Sequence, residues 1–354
     1  ASNLRLMTTR VSVFGLGNVG QALLRSFARI RGGAELVLAT DGRGVFLGEG
    51  LDPAQVIKRK LARDYDRPRA EGDAAALLAL AKPDVHVELT PTDLEAGQPA
   101  DADVRAALEQ RVPVVTATKS HQRTREALSG ILDLAQARGV PFLDHAATLA
   151  GIPATEMVAG IGMELVEIEG VLNGTTNYML KRLAEGAAFD SARDEAVEKG
   201  FAERNWRYDL EGNDVAVKLV GLIRHLTGTV IGAEEVELRG EPSLGISRGI
   251  VGATPELIAR LRDEEKVLKL FGQVRLEGGQ LQAAVGPRVV SRDDPFAGIE
   301  GFQNAVRLRG VMNDSKMELF LCGPGAGADE TASRVLGNLN HLIEVLSWAK
   351  GGRA

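Results

Sequence analysis

The stretch that decides the fold is Val11-Ser-Val-Phe-Gly15-Leu-Gly17-Asn-Val-Gly20. A short apolar run ends in a glycine turn, and Ala22, Leu23, Leu24 and Phe27 then recur at helical spacing. Strand, glycine turn and helix in that order form the setting in which a dinucleotide pyrophosphate is held. Gly15 permits the tight turn, Gly17 lets the backbone approach the phosphates, and Gly20 lets the helix pack close. The helix N-terminus, with Asn18 and Val19, faces the anion. A similar domain that had lost its ligand would carry the same glycine turn.

Working outward, a second strand, Glu35 to Thr40, ends at Asp41. An acid there takes the ribose hydroxyls and favours NAD. Arg43 follows, and Lys58, Arg59 and Lys60 lie on the next helical stretch, where cations could instead hold the 2′-phosphate of NADP. Both cofactors remain open at this point. The alternation continues with helix over 73–82, strand over 85–89, helix over 103–111, strand over 112–116, helix over 123–138 and strand over 140–144. Such repeats predict an α/β fold with a parallel sheet covered on both faces. Ligands on these sheets bind beyond the carboxyl ends of strands, where Thr90, Pro91 and Lys119 fall. A lysine at a strand end suits the nicotinamide side; a chance surface position is the alternative.

The 354-residue length predicts two domains. No apolar run approaches the roughly 20 residues that span a bilayer, and the first residues lack a signal-peptide core. Neither a membrane nor a secretory role is expected. A single cysteine, Cys322, excludes an internal disulfide and suits a reducing cytoplasm. Net charge of −6 argues against general nucleic-acid binding. The five histidines never fall at ligand spacing with one another or with cysteine, so zinc is not expected.

From Gly151 the pattern changes. Glu164 to Val171 alternates with period two, as in a mixed or antiparallel sheet. It runs into Asn173-Gly-Thr-Thr-Asn177, small hydrogen-bonding groups ahead of a helix, which could grip a polar substrate; N-capping by Thr175 or Thr176 is the plainer reading. Next comes Gly200 to Lys218, with Glu203, Asp209, Asp214 and Lys218. Asp209 is a plausible N-cap and Asn213 onward reads as helix. Asp214 and Lys218 stand four apart, so they can touch as a surface ion pair or as part of a site. Thr254 to Lys266 is helix and 267–276 and 281–290 alternate, giving a second, α+β domain. Leu319 to Cys322 is a strand that stops at Gly323-Pro-Gly325-Ala-Gly327. The helix that follows, to about Trp348, carries an apolar stripe from Val335 to Leu346.

Taken together these motifs resemble homoserine dehydrogenase over nearly the full length. The carriers are Gly15–Gly20, Val87–Thr92, Thr116–Lys119, Gly170–Tyr178, Asp209–Lys218 and Gly323–Gly327. The resemblance implies NAD(P)H-dependent interconversion of L-aspartate 4-semialdehyde and L-homoserine, in threonine and methionine synthesis. It implies a Rossmann-type domain at 1–150, completed by 311–354, and a catalytic and dimerisation domain at 151–310. A homodimer is expected, in a short form without the regulatory ACT domain. By position, Lys218 and Lys119 flank the reacting oxygen, Glu203 and Asp214 hold the substrate ammonium, and Gly174, Thr175 and Asp209 complete its site. Gly323 and Gly325 join the cofactor set. Three departures stand out: His145 in place of a usual glutamate, Phe201 in place of a tyrosine, and Asn205 in place of an aspartate. The 145–151 turn binds a monovalent metal ion in some members, so such an ion is left open here. The competing readings are a non-catalytic NAD(P)-binding sensor and an acylating dehydrogenase, the latter needing a cysteine nucleophile that Cys322 is poorly placed to supply.

Overall fold

The computed structural model describes residues 8–159, 162–199 and 205–351. The chain divides into two compact units, Ala1–Thr148 with Gly327–Ala354, and Leu149–Ala326. The first unit is built on a seven-stranded sheet of β1 (Thr9–Phe14), β2 (Ala34–Thr40), β3 (Gly44–Leu47), β4 (Arg67–Pro68), β5 (Val85–Glu88), β6 (Val114–Thr116) and β7 (Phe142–Leu143). Their order is β4-β3-β2-β1-β5-β6-β7. β1 pairs in parallel with both β2 and β5, so the sheet reverses its direction of growth beside the glycine turn, where α/β sheets take ligands.

The expected strands at β1, β2, β5, β6 and β7 are present. β3 and β4, which run antiparallel to their neighbours, were not expected, because they fall outside the strand–helix alternation that marked the other strands. The turn into β3 is closed by a local device. The Asp41 carboxylate accepts from the Arg43 and Gly44 amides at 2.8 and 3.1 Å, closing the turn between β2 and β3.

Helices α1 (Asn18–Arg25), α2 (Pro53–Leu61), α3 (Ala74–Ala81), α4 (Ala100–Glu109), α5 (Arg125–Arg138) and α6 (His145–Thr148) accompany this sheet. Asp52 caps α2 and Thr124 caps α5 through their side-chain oxygens, and left-handed Gly139 ends α5. Leu77, Leu78, Leu108 and Ile131 pack with Phe14 in one apolar cluster, while Val11, Val13, Leu23 and Phe27 belong to another.

The second unit holds α7 (Ala154–Ala159), α8 (Gly174–Ala184), α9 (Phe189–Glu198), α10 (Arg207–Leu210), α11 (Asn213–Thr227) and α12 (Pro255–Asp263). Its six-stranded sheet contains β8 (Glu164–Val171), β9 (Glu237–Leu238), β10 (Lys266–Glu277), β11 (Gln280–Ser291), β12 (Gln303–Met312) and β13 (Ser315–Pro324). The order is β13-β12-β8-β10-β11-β9, antiparallel except where β9 meets β11. The long hairpin of β12 and β13 is therefore part of this sheet. The expected return of the chain to the first domain at residue 311 comes later, at Gly327, because β13 pairs with β12 along its whole length and stays in this sheet.

The last helix, α13 (Ala328–Gly351), then rejoins the first unit. Val335, Leu336, Leu339, Leu342 and Ile343 pack into the cluster containing Leu23, Leu24 and Phe27. Each such burial contributes roughly 1.5–3 kcal/mol, so α13 is integral to that unit. Among the described residues no helix is long and apolar enough to cross a membrane.

Candidate functional site

In the first unit the glycine turn opens on a cleft of about 1030 Å³, large enough for an extended cofactor. Gly15, Gly17, Asn18 and Val19 line it, as do Thr90 and Pro91 from the end of β5. The three fingerprint glycines have distinct reasons. Gly15 lies at φ +92°, and a Cβ there would stand 2.3 Å from the Leu89 backbone. A Cβ on Gly20 would stand 2.1 Å from the Gly15 carbonyl oxygen. At Gly17 a Cβ would meet nothing within 4 Å. Packing thus demands the first and third glycines but leaves the second unexplained, and the space it keeps open belongs to the cleft.

Asp41, Arg43 and Lys60 line the same cleft. Besides closing its turn, the Asp41 carboxylate accepts from the Tyr65 hydroxyl at 2.7 Å. That bond, after burial, pushes the Tyr65 phenol up to about 12. Arg59, between the two lysines of α2, pairs with Asp64 and Asp66 instead. Arg69 and Asp103 also line the cleft and were not anticipated from the sequence. Arg69 donates to both Asp103 oxygens, at 3.0 and 2.8 Å. Burial and the nearby Glu88 charge push the Asp103 carboxyl up to about 6, although Arg69 pulls the other way. Arg69 lies in an irregular segment and Asp103 on a helix, 34 residues apart, so no local sequence signal marks this pair. Thr90 is held by buried Glu88, which accepts from its amide at 2.8 Å. Lys119 follows β6, with its backbone N–H donating to the Thr92 hydroxyl at 3.1 Å.

In the second unit, residues far apart in sequence converge on Asn173. Its Oδ1 accepts from the Thr176 amide at 2.8 Å, so Asn173, rather than Thr175 or Thr176, caps α8. Its Nδ2 donates to Asp209 at 2.8 Å and to Asp214 at 2.9 Å. Thr175 donates its hydroxyl to Asp209 at 3.3 Å. Asp209 is therefore not an N-cap: it lies within α10, and left-handed Gly212 precedes α11. Asp214 and Lys218 do touch, at 2.8 Å, but with side chains only 11% and 9% exposed. The surface ion pair is replaced by a buried one, which costs more desolvation and stands only with further hydrogen bonds. Lys218 supplies one, donating to the Leu172 carbonyl at 2.6 Å, an oxygen that also accepts from Asn304 at 3.0 Å. Burial first, then Asp214 and Asp209, raise the Tyr208 phenol above its ordinary value.

Gly174 begins α8, and a Cβ there would crowd the Gly301–Phe302 backbone at 3.2–3.3 Å. Gly323 and Gly325 belong to the second unit. A Cβ on Gly325 would collide with the Asn304 side chain at 2.0 Å, which gives that glycine a packing reason of its own. Glu203, like Phe201, lies outside the described residues. At the 145–151 turn, Thr148 is buried with its hydroxyl unpaired. Among the described residues no group of three or more His, Cys, Asp and Glu could hold a metal ion.

The glycine-framed cleft and the carboxylate–lysine cluster are the two candidate sites. Residues 155–339 match the homoserine dehydrogenase family model. The homoserine dehydrogenase of Methanocaldococcus jannaschii is 32% identical over 87% of this chain and 88% of its own length. The chain belongs to the homoserine dehydrogenase family. It is an NAD(P)-dependent oxidoreductase. The NAD(+)-dependent homoserine dehydrogenase of Pseudomonas canavaninivorans is 29% identical over 94% of this chain and 96% of its own length. A crystal structure of a homoserine dehydrogenase from Archaeoglobus fulgidus, itself described as putative, superposes with a TM-score of 0.79 at 26% identity, covering 95% of this chain and 99% of that one. A hyperthermophilic archaeal homoserine dehydrogenase mutant in complex with NADPH gives 0.75 at 25% identity, covering 94% and 97%.

Proposed function

We propose that the protein interconverts L-homoserine and L-aspartate 4-semialdehyde, exchanging a hydride with NAD(P). The observation that supports this best is the Lys218–Asp214–Asn173–Asp209 network, in which a buried acid and a buried ammonium are held together beside the half-buried Asp209. Hydride addition to an aldehyde carbon leaves an alkoxide that needs a proton, and a lysine ammonium polarises the carbonyl and supplies it. In this reading Lys218 is the acid–base, assisted by Lys119. Asp214 and Asp209 hold the substrate ammonium, with Thr175, Gly174 and, from the family resemblance, Glu203. In the nucleotide cleft Gly17 admits the pyrophosphate, helped by Asn18 and Val19 at the start of α1. Asp41 suits a ribose diol, whereas Arg43 and Lys60 suit a 2′-phosphate. Gly323 and Gly325 complete the cofactor set on the resemblance alone. The same resemblance supports a homodimer working in threonine and methionine synthesis, and the single Cys322 suits a reducing cytoplasm.

The test is oxidation of L-homoserine by the purified protein, run with NAD and with NADP. Turnover with at least one is expected, and the ratio reads the cofactor preference. In the Lys218→Ala variant kcat should fall at least about 100-fold, the scale of a lost general acid, with nucleotide affinity unchanged. No turnover by the wild-type protein with either nucleotide would overturn the proposal.

A further inference from the structure

A second cavity, of about 400 Å³, lies within the second unit between α8, α12 and the start of β10. Its walls are apolar at Leu180, Ile258, Leu261 and Leu268, yet Lys269 opens on it. Lys269 is 4% exposed. Its ammonium donates to the Ile299 carbonyl, and among the described residues it has no other hydrogen-bond or ion-pair partner. A lysine ammonium carries three donors, and burying one without a counter-charge is costly. The neighbouring acid, Glu300, is engaged by Lys181 at 3.1 Å. Two further cations of the lining are also committed, Lys266 to Glu264 and Arg292 to Glu265. Arg262 has no carboxylate partner among the described residues. Asn177, 2% exposed, lines the cavity as well, and its Oδ1 is unpaired. The cavity therefore combines an apolar wall, an excess of positive charge and a buried ammonium short of an anion.

We propose that this cavity binds a small amphipathic carboxylate, with its charged end on Lys269 and its apolar body against Leu180, Ile258 and Leu261. Burial brings the Lys269 ammonium down to about 8, so it is still mostly charged at pH 7, and a bound carboxylate would favour that charged form further. An oxyanion such as free phosphate would satisfy the ammonium but leave the apolar wall uncovered. The site is separate from the Lys218 network, and the inference does not depend on the proposed reaction.

Isothermal titration calorimetry of the full chain at pH 7 tests it, with 2-hydroxy-4-methylpentanoate as the probe. The uncharged 4-methylpentan-1-ol and inorganic phosphate serve as the comparisons. Saturable binding of the hydroxy acid is expected, at least about tenfold tighter than either comparison. Lys269→Met should weaken it at least tenfold. Ala184→Trp, at an exposed position lining the cavity, should do the same without touching the buried lysine, so the outcome does not hang on one variant's folding. Absence of saturable binding, affinity unchanged in Ala184→Trp, or phosphate binding as tightly as the hydroxy acid would overturn the proposal.

Discussion

In the first unit the cleft at the glycine turn presents bare backbone: Gly17 is exposed and nothing of the protein stands where its Cβ would be. In the second unit the Asn173 cluster presents charged side chains already bonded to one another, with Asp214 and Lys218 buried and Asp209 half-buried. A backbone turn at a helix N-terminus can meet an anion with partial charges that need no counter-ion in its absence. Carboxylates and an ammonium out of water must be paired before any ligand arrives. Affinity and stability are consequently separable in the cleft and coupled in the cluster.

Breaking the cluster should have the largest effect. Asp214→Ala removes the partner of a buried ammonium and should lower unfolding free energy by about 3–5 kcal/mol, read from denaturant melts. A loss under about 1 kcal/mol would mean that the pair behaves as a surface one.

The carboxylate of the cleft offers a milder contrast. Asp103 is raised in the folded protein, so folding is favoured while it is protonated. Stability is lost as pH climbs from its unfolded value near 4 to about 6. The shift corresponds to about 2–3 kcal/mol. Removing this negative contribution should make the slope of unfolding free energy against pH across that window more positive in Asp103→Asn than in the wild type, and equal slopes would remove Asp103 as the titrating group.

The smallest expected effect sharpens the comparison most. Gly17→Ala should weaken NAD(P) binding at least about tenfold, or about 1.4 kcal/mol, while leaving the thermal midpoint nearly unmoved. Gly15→Ala, forced into a left-handed backbone against Leu89, should instead lower the midpoint itself. If both variants lose stability equally, Gly17 is structural after all.

The two regions were also unequally legible. Val11 to Gly20 announced strand, turn and helix because each glycine's job is local, and the structure gives β1, the turn and α1 in that order. The helix over Asn213–Thr227 was readable for the same reason, its apolar positions repeating at helical period. By contrast, Asn173 stands 36 residues from Asp209 and 41 from Asp214. Local reading turned Asp209 into a cap and left Asp214–Lys218 balanced between surface and site. The pairing of Arg69 with Asp103, 34 residues apart, gave no signal at all.

The sequence by itself determined the α/β and α+β succession, the glycine turn and the candidate residues, because periodicity and backbone freedom are properties of neighbours along the chain. Only the tertiary structure decided that Lys218 is buried, that Asn173 joins the two aspartates, and that the β12–β13 hairpin stays in the second sheet. Those facts depend on desolvation and on hydrogen bonds between distant segments, which exist only once the chain has folded.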